Sequence, residues 1–297
     1  TGFEVFRVLL IAGLAAGLFA IARNFTGRVP AIAIVTPLMM TTVVLTFLGT
    51  SYLTGAVLAG TAGVIALGLR RGTGAHLGAG AILGWLAMVH PPGLLLAATC
   101  WAAVRIHGRI DIRRTLLAGA AAVAMFVALL GVGRVVFPAL NWLETYLAWN
   151  AKLNYADFAS RDPVWLHDIS LLVPVIALVL AVGAWVNDRT QRSSQLAMIV
   201  SLSSIGFALV FSPLIGGIML EAPMYQAMLW PPALASICLV LAGRAGDRAH
   251  RPVPVLAAGI GATVLVVLAG HFTGIVPGPA GVALAVLAAV IGIGGVW

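Results

Sequence analysis

Residues 77–105 read LGAGAILGWLAMVHPPGLLLAATCWAAVR, an apolar run broken near its middle by His90-Pro91-Pro92-Gly93. One bilayer crossing takes about 20 residues of helix, so this run is too long for a single span. Proline removes a backbone donor and restricts the residue before it, which places the break at His90. We predict two short crossings, 77–89 and 93–105, joined by a turn at His90. A single kinked helix or a re-entrant pair is the alternative.

Apolar runs of spanning length continue on both sides of this segment. We predict further spans near 5–22, 31–49, 53–69, 115–136, 170–186, 195–214, 226–243, 253–270 and 279–297. Apolar residues make up 61% of the chain and charged residues 9%, whereas a soluble domain carries about 25% charged residues. The excess apolar surface must therefore face lipid. The sequence predicts an all-α, polytopic transmembrane helix bundle of about eleven crossings, with residues 1–297 forming a single integral membrane domain.

Glycine is frequent in these apolar runs, with 34 residues in the chain. Small residues let helix backbones approach closely inside a bilayer. The small-xxx-small pairs Gly13/Gly17 and Gly80/Gly84 are therefore predicted to be helix-packing contacts rather than dimer motifs.

The basic residues divide the connections between spans into two sets. One set of alternate connections holds 13 of the 17 basic residues, namely Arg23, Arg28, Arg70, Arg71, Arg105, Arg109, Arg113, Arg114, Arg189, Arg192, Arg244, Arg248 and Arg251. Lys and Arg are enriched in cytoplasmic loops, so this set is predicted to be cytoplasmic and the N-terminus extracytoplasmic. The division works only if 77–105 crosses twice, which independently supports the break at His90. Because residue 1 is already on the outer side, we expect the chain to be a fragment that lacks an upstream span.

Other function classes do not fit the sequence. The net charge of +8 does not indicate nucleic-acid binding, because the basic residues lie in short connections rather than along one soluble face. Cys100 and Cys238 lie inside apolar runs and are predicted to be buried free thiols. The chain has no P-loop, G-x-S-x-G, H-E-x-x-H or C-x-x-C signature. Acidic residues at the bilayer midplane, which many ion-coupled transporters use, are also missing.

The longest polar connection, residues 137–169, lies on the predicted outer side. It reads FPALNWLETYLAWNAKLNYADFASRDPVWLHDI. A connection of this length is usually functional or disordered, and its aromatic content argues against disorder. Apolar and aromatic residues recur at helical spacing between Leu140 and Trp149, which predicts an interfacial helix on the outer leaflet.

Candidate chemistry follows in the second half of this loop. Carboxylates near a membrane surface act as general bases or bind a divalent cation such as Mg²⁺ or Mn²⁺ through oxygen ligands. Asp157 and Asp162 are the candidate carboxylates, and His167 is the candidate proton acceptor or donor. The structural alternative is that Asp162 begins a turn with Pro163 and Asp168 caps the next helix.

Four further residues face the same predicted side. Arg134 lies near the outer end of its span, where a cation is costly unless it snorkels to the interface or binds a lipid phosphate. Glu221 and Tyr225 precede another span and either bind a polar head group or serve as a solvated acid and an interfacial anchor. His90 is either a ligand or a loop histidine whose hydrogen bonds are satisfied locally.

The order of these elements resembles the GT-C superfamily of membrane glycosyltransferases, which use polyprenyl-phosphate sugars. The segments that carry the resemblance are Phe6–Leu10 running to Ala22–Arg28, Leu48–Tyr52, Gly84–Leu94 and Met224–Tyr225 running to Pro231–Pro232. His90 stands where the family frequently has a lysine or arginine, and no arginine precedes Tyr225. The Ala-rich sequence with Arg in place of Lys resembles actinobacterial members that build cell-wall glycans.

The resemblance implies sugar transfer to a cell-envelope glycan or lipid acceptor on the outer face of the plasma (inner) membrane. The family's catalytic acid lies in the first outer loop, a region this chain lacks. Within the chain, the implied acceptor or metal contacts are Asp157, Asp162 and His167. The implied phosphate contacts are Arg134, Lys152 and Arg161, while Glu221, Tyr225 and His90 line the cavity. A transporter or flippase of a lipid-linked intermediate, or a non-catalytic assembly partner, is the alternative.

Overall fold

The computed structural model describes residues 2–40, 52–139, 141, 143–145, 172–214 and 227–247, and these residues include no β-strand. The helices are α1 Gly2–Arg23, α2 Arg28–Met40, α3 Tyr52–Gly68, α4 Thr73–Val89, α5 Pro91–His107, α6 Ile112–Val136, α7 Leu172–Asn187, α8 Arg192–Leu214 and α9 Trp230–Asp247, which follows a short 3₁₀ turn at Ala227–Leu229. These bounds lie within four residues of the predicted spans, except at the end of the span 31–49, where residues 41–49 lie outside the described residues. The predicted spans 253–270 and 279–297 lie outside the described residues.

The predicted break at His90 is confirmed, because α4 ends at Val89 and α5 begins at Pro91. His90 has extended backbone, with φ −158° and ψ 90°, and its Nδ1 accepts a hydrogen bond from Gly93 N at 3.2 Å. Near the far ends of the two helices, His76 and Trp101 are paired with ring centroids 6.2 Å apart. The helices therefore form an antiparallel hairpin, which excludes a single kinked helix.

The core forms around α3, which packs against α1, α4, α5 and α9. A Cβ at Gly17 of α1 would approach the Ala62 carbonyl carbon to 2.9 Å, and one at Gly13 would lie 3.4 Å from the Ala59 Cβ. Both contacts advance in the same direction along the two helices, so α1 and α3 run parallel. The predicted packing role of Gly13 and Gly17 is confirmed.

The largest helix contact joins α4 to α6. Gly80 and Gly84 lie directly against the backbone carbonyls of Ala118 and Ala122, where a Cβ would overlap the carbonyl oxygens. Both contacts join residues 38 positions apart in the chain, so α4 and α6 run parallel. Small residues permit this close backbone approach, and the predicted role of Gly80 and Gly84 as contacts within the chain is confirmed.

Hydroxyl groups join α8 to α9. Ser201 Oγ donates to Ser236 Oγ at 2.8 Å, and Ser236 Oγ donates to the Ala197 carbonyl at 3.0 Å. Both serines are fully buried. These bonds satisfy polar groups that would be costly to leave unpaired in an apolar interior.

Three described helices are long and apolar enough to cross a membrane: Val5–Arg23, Ile112–Val136 and Arg192–Phe211. The shorter apolar helices include α3, α4 and most of α7. Large apolar side chains are exposed on several helices, such as Val8 of α1, Val123 of α6 and Val179 of α7. This surface fits a protein surrounded by lipid.

Candidate functional site

Contacts between connections show which helix ends lie together. Arg114 Nη1 donates to the Arg71 carbonyl, which joins the first turn of α6 to connection 69–72. A Cβ at Gly243 of α9 would meet Ser193 and Gln191, and one at Gly246 would meet the Phe25 carbonyl. Because α1 and α3 run parallel, all these contacts lie at one end of the bundle. We call it the arginine end: connections 24–27, 69–72, 108–111 and 188–191 with the last turn of α9.

Arg105 lies at the arginine end inside helix α5, not in a solvated loop. Its side chain is 6% exposed, and its Nη1 donates to the Gly68 and Arg70 carbonyls at 3.3 Å each. These carbonyls follow the last turn of α3, where backbone acceptors lack helical partners. The buried guanidinium therefore caps α3 from the neighbouring helix α5.

His76 binds the same connection from the first turn of α4. The imidazole is 1% exposed, and its Nδ1 lies 3.0 Å from the Gly72 carbonyl. A carbonyl can only accept, so Nδ1 carries the proton. Trp101 of α5 meets the His76 ring edge-on. The connection 69–72 is thus held by side chains of α4, α5 and α6.

Asp111 begins α6 and organises the neighbouring connection. Its carboxylate accepts from Arg114 N at 3.2 Å and lies 3.1 Å from Arg114 Nε. An aspartate at this position satisfies a free N–H group of the first turn. The preceding connection turns at Arg109, which has φ 69°. Arg114 is thereby fixed between Asp111 and the Arg71 carbonyl.

A second polar group at the arginine end joins α7, α8 and α9. Asp188 accepts from the Thr190 hydroxyl at 2.7 Å, from Thr190 N at 2.9 Å and from Gln191 N at 3.1 Å. These bonds and the charge of Arg244 lower the pKa of Asp188 below its usual range. With its amide oxygen turned toward α9, Asn187 accepts from the Arg244 guanidinium at 2.8 and 3.0 Å.

At the opposite end, His90 is partly buried, and this burial lowers the pKa of its imidazole. Its Nδ1 accepts the Gly93 hydrogen bond, so the ring caps α5 as a neutral group. This hydrogen bond to Gly93 agrees with the alternative that His90 is a loop histidine bonded within its own turn. A substrate contact by His90 stays a prediction.

Arg134 lies at the same end as His90 but further out. The α4–α6 register places the end of α4 beside residues near 127, and α6 continues to Val136. Arg134 is therefore roughly 9 Å beyond the level of His90, at about 1.5 Å per residue. It is exposed in the last turn of α6, where a cation also favours the helix dipole. The two residues therefore lie at different levels of the same end of the bundle, and their shared site stays a prediction.

The predicted outer loop begins with a capped turn. Asn141 Oδ1 accepts from Glu144 N at 3.4 Å, and Asn141 Nδ2 donates to Glu144 Oε2 at 3.1 Å. Residues 143–145 are helical. A helix start is present at this point, while the full interfacial helix to Trp149 stays a prediction.

Most of the predicted site residues lie outside the described residues, namely Lys152, Asp157, Arg161, Asp162, His167, Glu221 and Tyr225. In the part of the chain that the structure describes, no group of three or more His, Cys, Asp or Glu side chains is placed to hold a metal ion. Cys100 and Cys238 are both buried free thiols, as predicted.

The inward roles of Arg105 and His76 were not predicted from the sequence. Arg105 follows an apolar run in the same way as the exposed arginines, so residue type alone does not distinguish it. Its spacing of four residues after Trp101 places both on one face of α5, and Trp101 is buried. That spacing is the available signal, and it identifies Arg105 only once the α4–α5 hairpin is assumed.

Comparison with known proteins finds no match for this chain: no family model matches it, and neither a curated protein nor a solved structure is similar to it.

Proposed function

We propose that this chain is a multi-pass protein of the plasma (inner) membrane whose arginine end faces the cytosol. The supporting observation is that three arginine-bearing connections, 69–72, 108–111 and 188–191, lie at one end of the bundle together with connection 24–27, which Arg23 and Arg28 flank. Cytoplasmic loops carry the excess of Lys and Arg in membrane proteins. His90, Arg134 and the 137–169 loop then face the extracytoplasmic side.

Within this membrane setting, we propose that the protein transfers a sugar from a polyprenyl-phosphate donor to a cell-envelope glycan or lipid acceptor. The observation that supports this proposal is the hairpin of two short helices with a Pro-Pro turn at His90, the feature expected from the GT-C resemblance. Asp157 or Asp162 would accept the acceptor hydroxyl proton, alone or with a divalent cation. Arg134, Lys152 and Arg161 would stabilise the leaving phosphate.

Transfer of a radiolabelled sugar from a polyprenyl-phosphate donor, measured in vesicles containing the protein in its full-length context, tests this proposal. We expect Asp157→Ala and Asp162→Ala to reduce transfer by at least about a hundredfold for a general base. The matched control is Asp188→Ala, an acid at the opposite end of the bundle. Transfer that is unchanged in both outer variants would refute the assigned roles.

The transporter alternative has less support. The helix interiors from 52 to 68, 73 to 107 and 192 to 214 contain no Asp or Glu, and the buried serines Ser201, Ser204 and Ser236 bind one another or backbone carbonyls. Ion-coupled transporters commonly place ionisable residues at such depths. Movement of an intact labelled lipid-linked sugar across vesicles, without transfer to an acceptor, would favour the transporter.

A further inference from the structure

Four exposed arginines lie on neighbouring segments at the arginine end. Arg70 and Arg71 lie in the α3–α4 connection, while Arg109 and Arg113 lie in or beside the α5–α6 connection. The first turn of α6, which contains Arg113, is tied to the α3–α4 connection by the bond from Arg114 to the Arg71 carbonyl. We call these four residues the arginine patch.

The patch carries a large excess of positive charge. Arg105 and Arg114 lie directly beneath it and add two more guanidinium groups. The carboxylate described at this location, Asp111, is paired with Arg114 at 3.1 Å. Like charges this close repel one another unless an anion lies between them.

Exposed apolar side chains lie beside Arg109 and Arg113. Ile106 is 63% exposed, Ile110 53%, Ile112 73% and Leu116 69%. These residues lie on α5, on the α5–α6 connection and on the first turns of α6. A free inorganic anion would neutralise the arginines and leave this apolar surface uncovered. A lipid covers both, because its headgroup meets the cations and its acyl chains meet the isoleucines.

The surface between the two connections is open. A Cβ at Gly72 or Gly74, beside the patch, would meet no atom within 4 Å. The arginine side chains at 70, 71 and 113 extend from exposed backbone next to this space. A phosphodiester bound beside this open space would meet exposed guanidinium groups, and phosphate–guanidinium bonds are charge-assisted.

We propose that the arginine patch binds the headgroup of an acidic phospholipid from the cytosolic leaflet, with its acyl chains against Ile106, Ile110, Ile112 and Leu116. The inference depends on the proposed membrane placement alone. It is independent of glycosyl transfer, which is assigned to the opposite end of the bundle.

The test is a lipid titration of the detergent-solubilised protein, followed by native mass spectrometry and by thermal unfolding. The probes are phosphatidylglycerol, phosphatidylcholine and soluble glycerol phosphate, which has the acidic headgroup without acyl chains. The patch variant is Arg71→Gln/Arg113→Gln. The control is Arg28→Gln/Arg192→Gln, which removes the same charge from exposed positions at the same end.

We expect phosphatidylglycerol to bind the unaltered protein more tightly than either other probe. The patch variant should lose about tenfold or more in affinity for it, since it lacks two of the basic residues that attract an anionic headgroup. The control should stay within about twofold, and high salt should weaken binding. If the patch variant does not fold, Arg70→Gln/Arg109→Gln serves the same test.

Three outcomes would overturn the proposal. Equal binding of phosphatidylglycerol and phosphatidylcholine would remove the charge argument. Equal losses in the patch and control variants would show a general charge effect. Glycerol phosphate binding as tightly as the lipid would indicate a free-anion site. A protein that binds the lipid but transfers no sugar would refute the glycosyltransferase proposal and leave this one standing.

Discussion

At the scale of single residues, Gly84 lies against the backbone carbonyl of Ala122, and Gly80 repeats the contact one turn earlier with Ala118. These contacts are between backbones, so neighbouring side chains cannot relieve an added methyl group by changing rotamer. Gly119, on the exposed face of α6, has no atom within 4 Å of a Cβ position. The same residue type is therefore required at one position and replaceable at another.

Gly84→Ala should lower the free energy of unfolding by about 1–3 kcal/mol, the usual cost of overpacking. Gly119→Ala should leave it unchanged or slightly higher, because alanine favours helix over glycine. Thermal unfolding of both variants in one detergent checks the difference. Equal stability of the two would contradict the close α4–α6 packing.

Asp188 should make stability depend on pH. Its hydrogen bonds from Thr190 and Gln191 lower the pKa of the folded carboxylate, so the folded state binds fewer protons than the unfolded state. The stabilisation is complete above the usual aspartate pKa of about 3.9 and is lost as the pH falls through the lowered value. We expect the melting temperature to fall less steeply below about pH 4 in Asp188→Asn than in the unaltered protein. Parallel pH profiles would contradict this assignment.

At the scale of the element, the α4–α5 hairpin depends on the fit of the first turn of α5 against α3. A Cβ at Gly93 would lie 2.6 Å from Val57 Cγ2. Gly93→Ala should be destabilising, and Val57→Ala should relieve part of that loss, with a coupling of about 0.5–3 kcal/mol in a double-mutant cycle. Gly74→Ala, which meets open space, is the control and should be additive with Val57→Ala. If the effects of Gly93→Ala and Val57→Ala on the free energy of unfolding simply add, the contact between Gly93 and Val57 is contradicted.

The end of α3 should depend on Arg105 in the same way. Arg105→Met removes the donors to the Gly68 and Arg70 carbonyls, at a cost of about 1–3 kcal/mol, because the buried Gly68 acceptor is left unpaired. Arg113→Met, at an exposed position, should have little effect on unfolding in lipid-free detergent. If Arg105→Met and Arg113→Met change the free energy of unfolding by similar amounts, the proposed capping of α3 by Arg105 is refuted.

Sequence patterns predicted the elements better than the contacts between them. The proline pair fixed the break at His90, and apolar length fixed most helix bounds, because both signals are local. The inward turn of Arg105 and the parallel register of Gly84 with Ala122 depend on residues far apart in the chain. The predicted outer site lies mainly outside the described residues, so its members stay predictions.

At the scale of the whole molecule, the proposed orientation predicts labelling by a membrane-impermeant thiol reagent. In a background with Cys100 and Cys238 replaced by alanine, a cysteine at Arg134 or Asp162 should react in intact cells. A cysteine at Arg71 or Arg189 should react only after permeabilisation. Labelling of position 162 from the cytosolic side would refute both the orientation and the outer site.

The parallel pairing of α4 with α6 also has a consequence for biosynthesis. The ribosome delivers α4 first, and its partner carbonyls on α6 follow 38 residues later, as the Gly80–Ala118 contact shows. At about 5–20 residues per second, the α4 surface around Gly80 and Gly84 stays without its partner helix α6 for roughly 2–8 seconds. Nascent chains stalled just after His107 should therefore be the species that insertion chaperones retain.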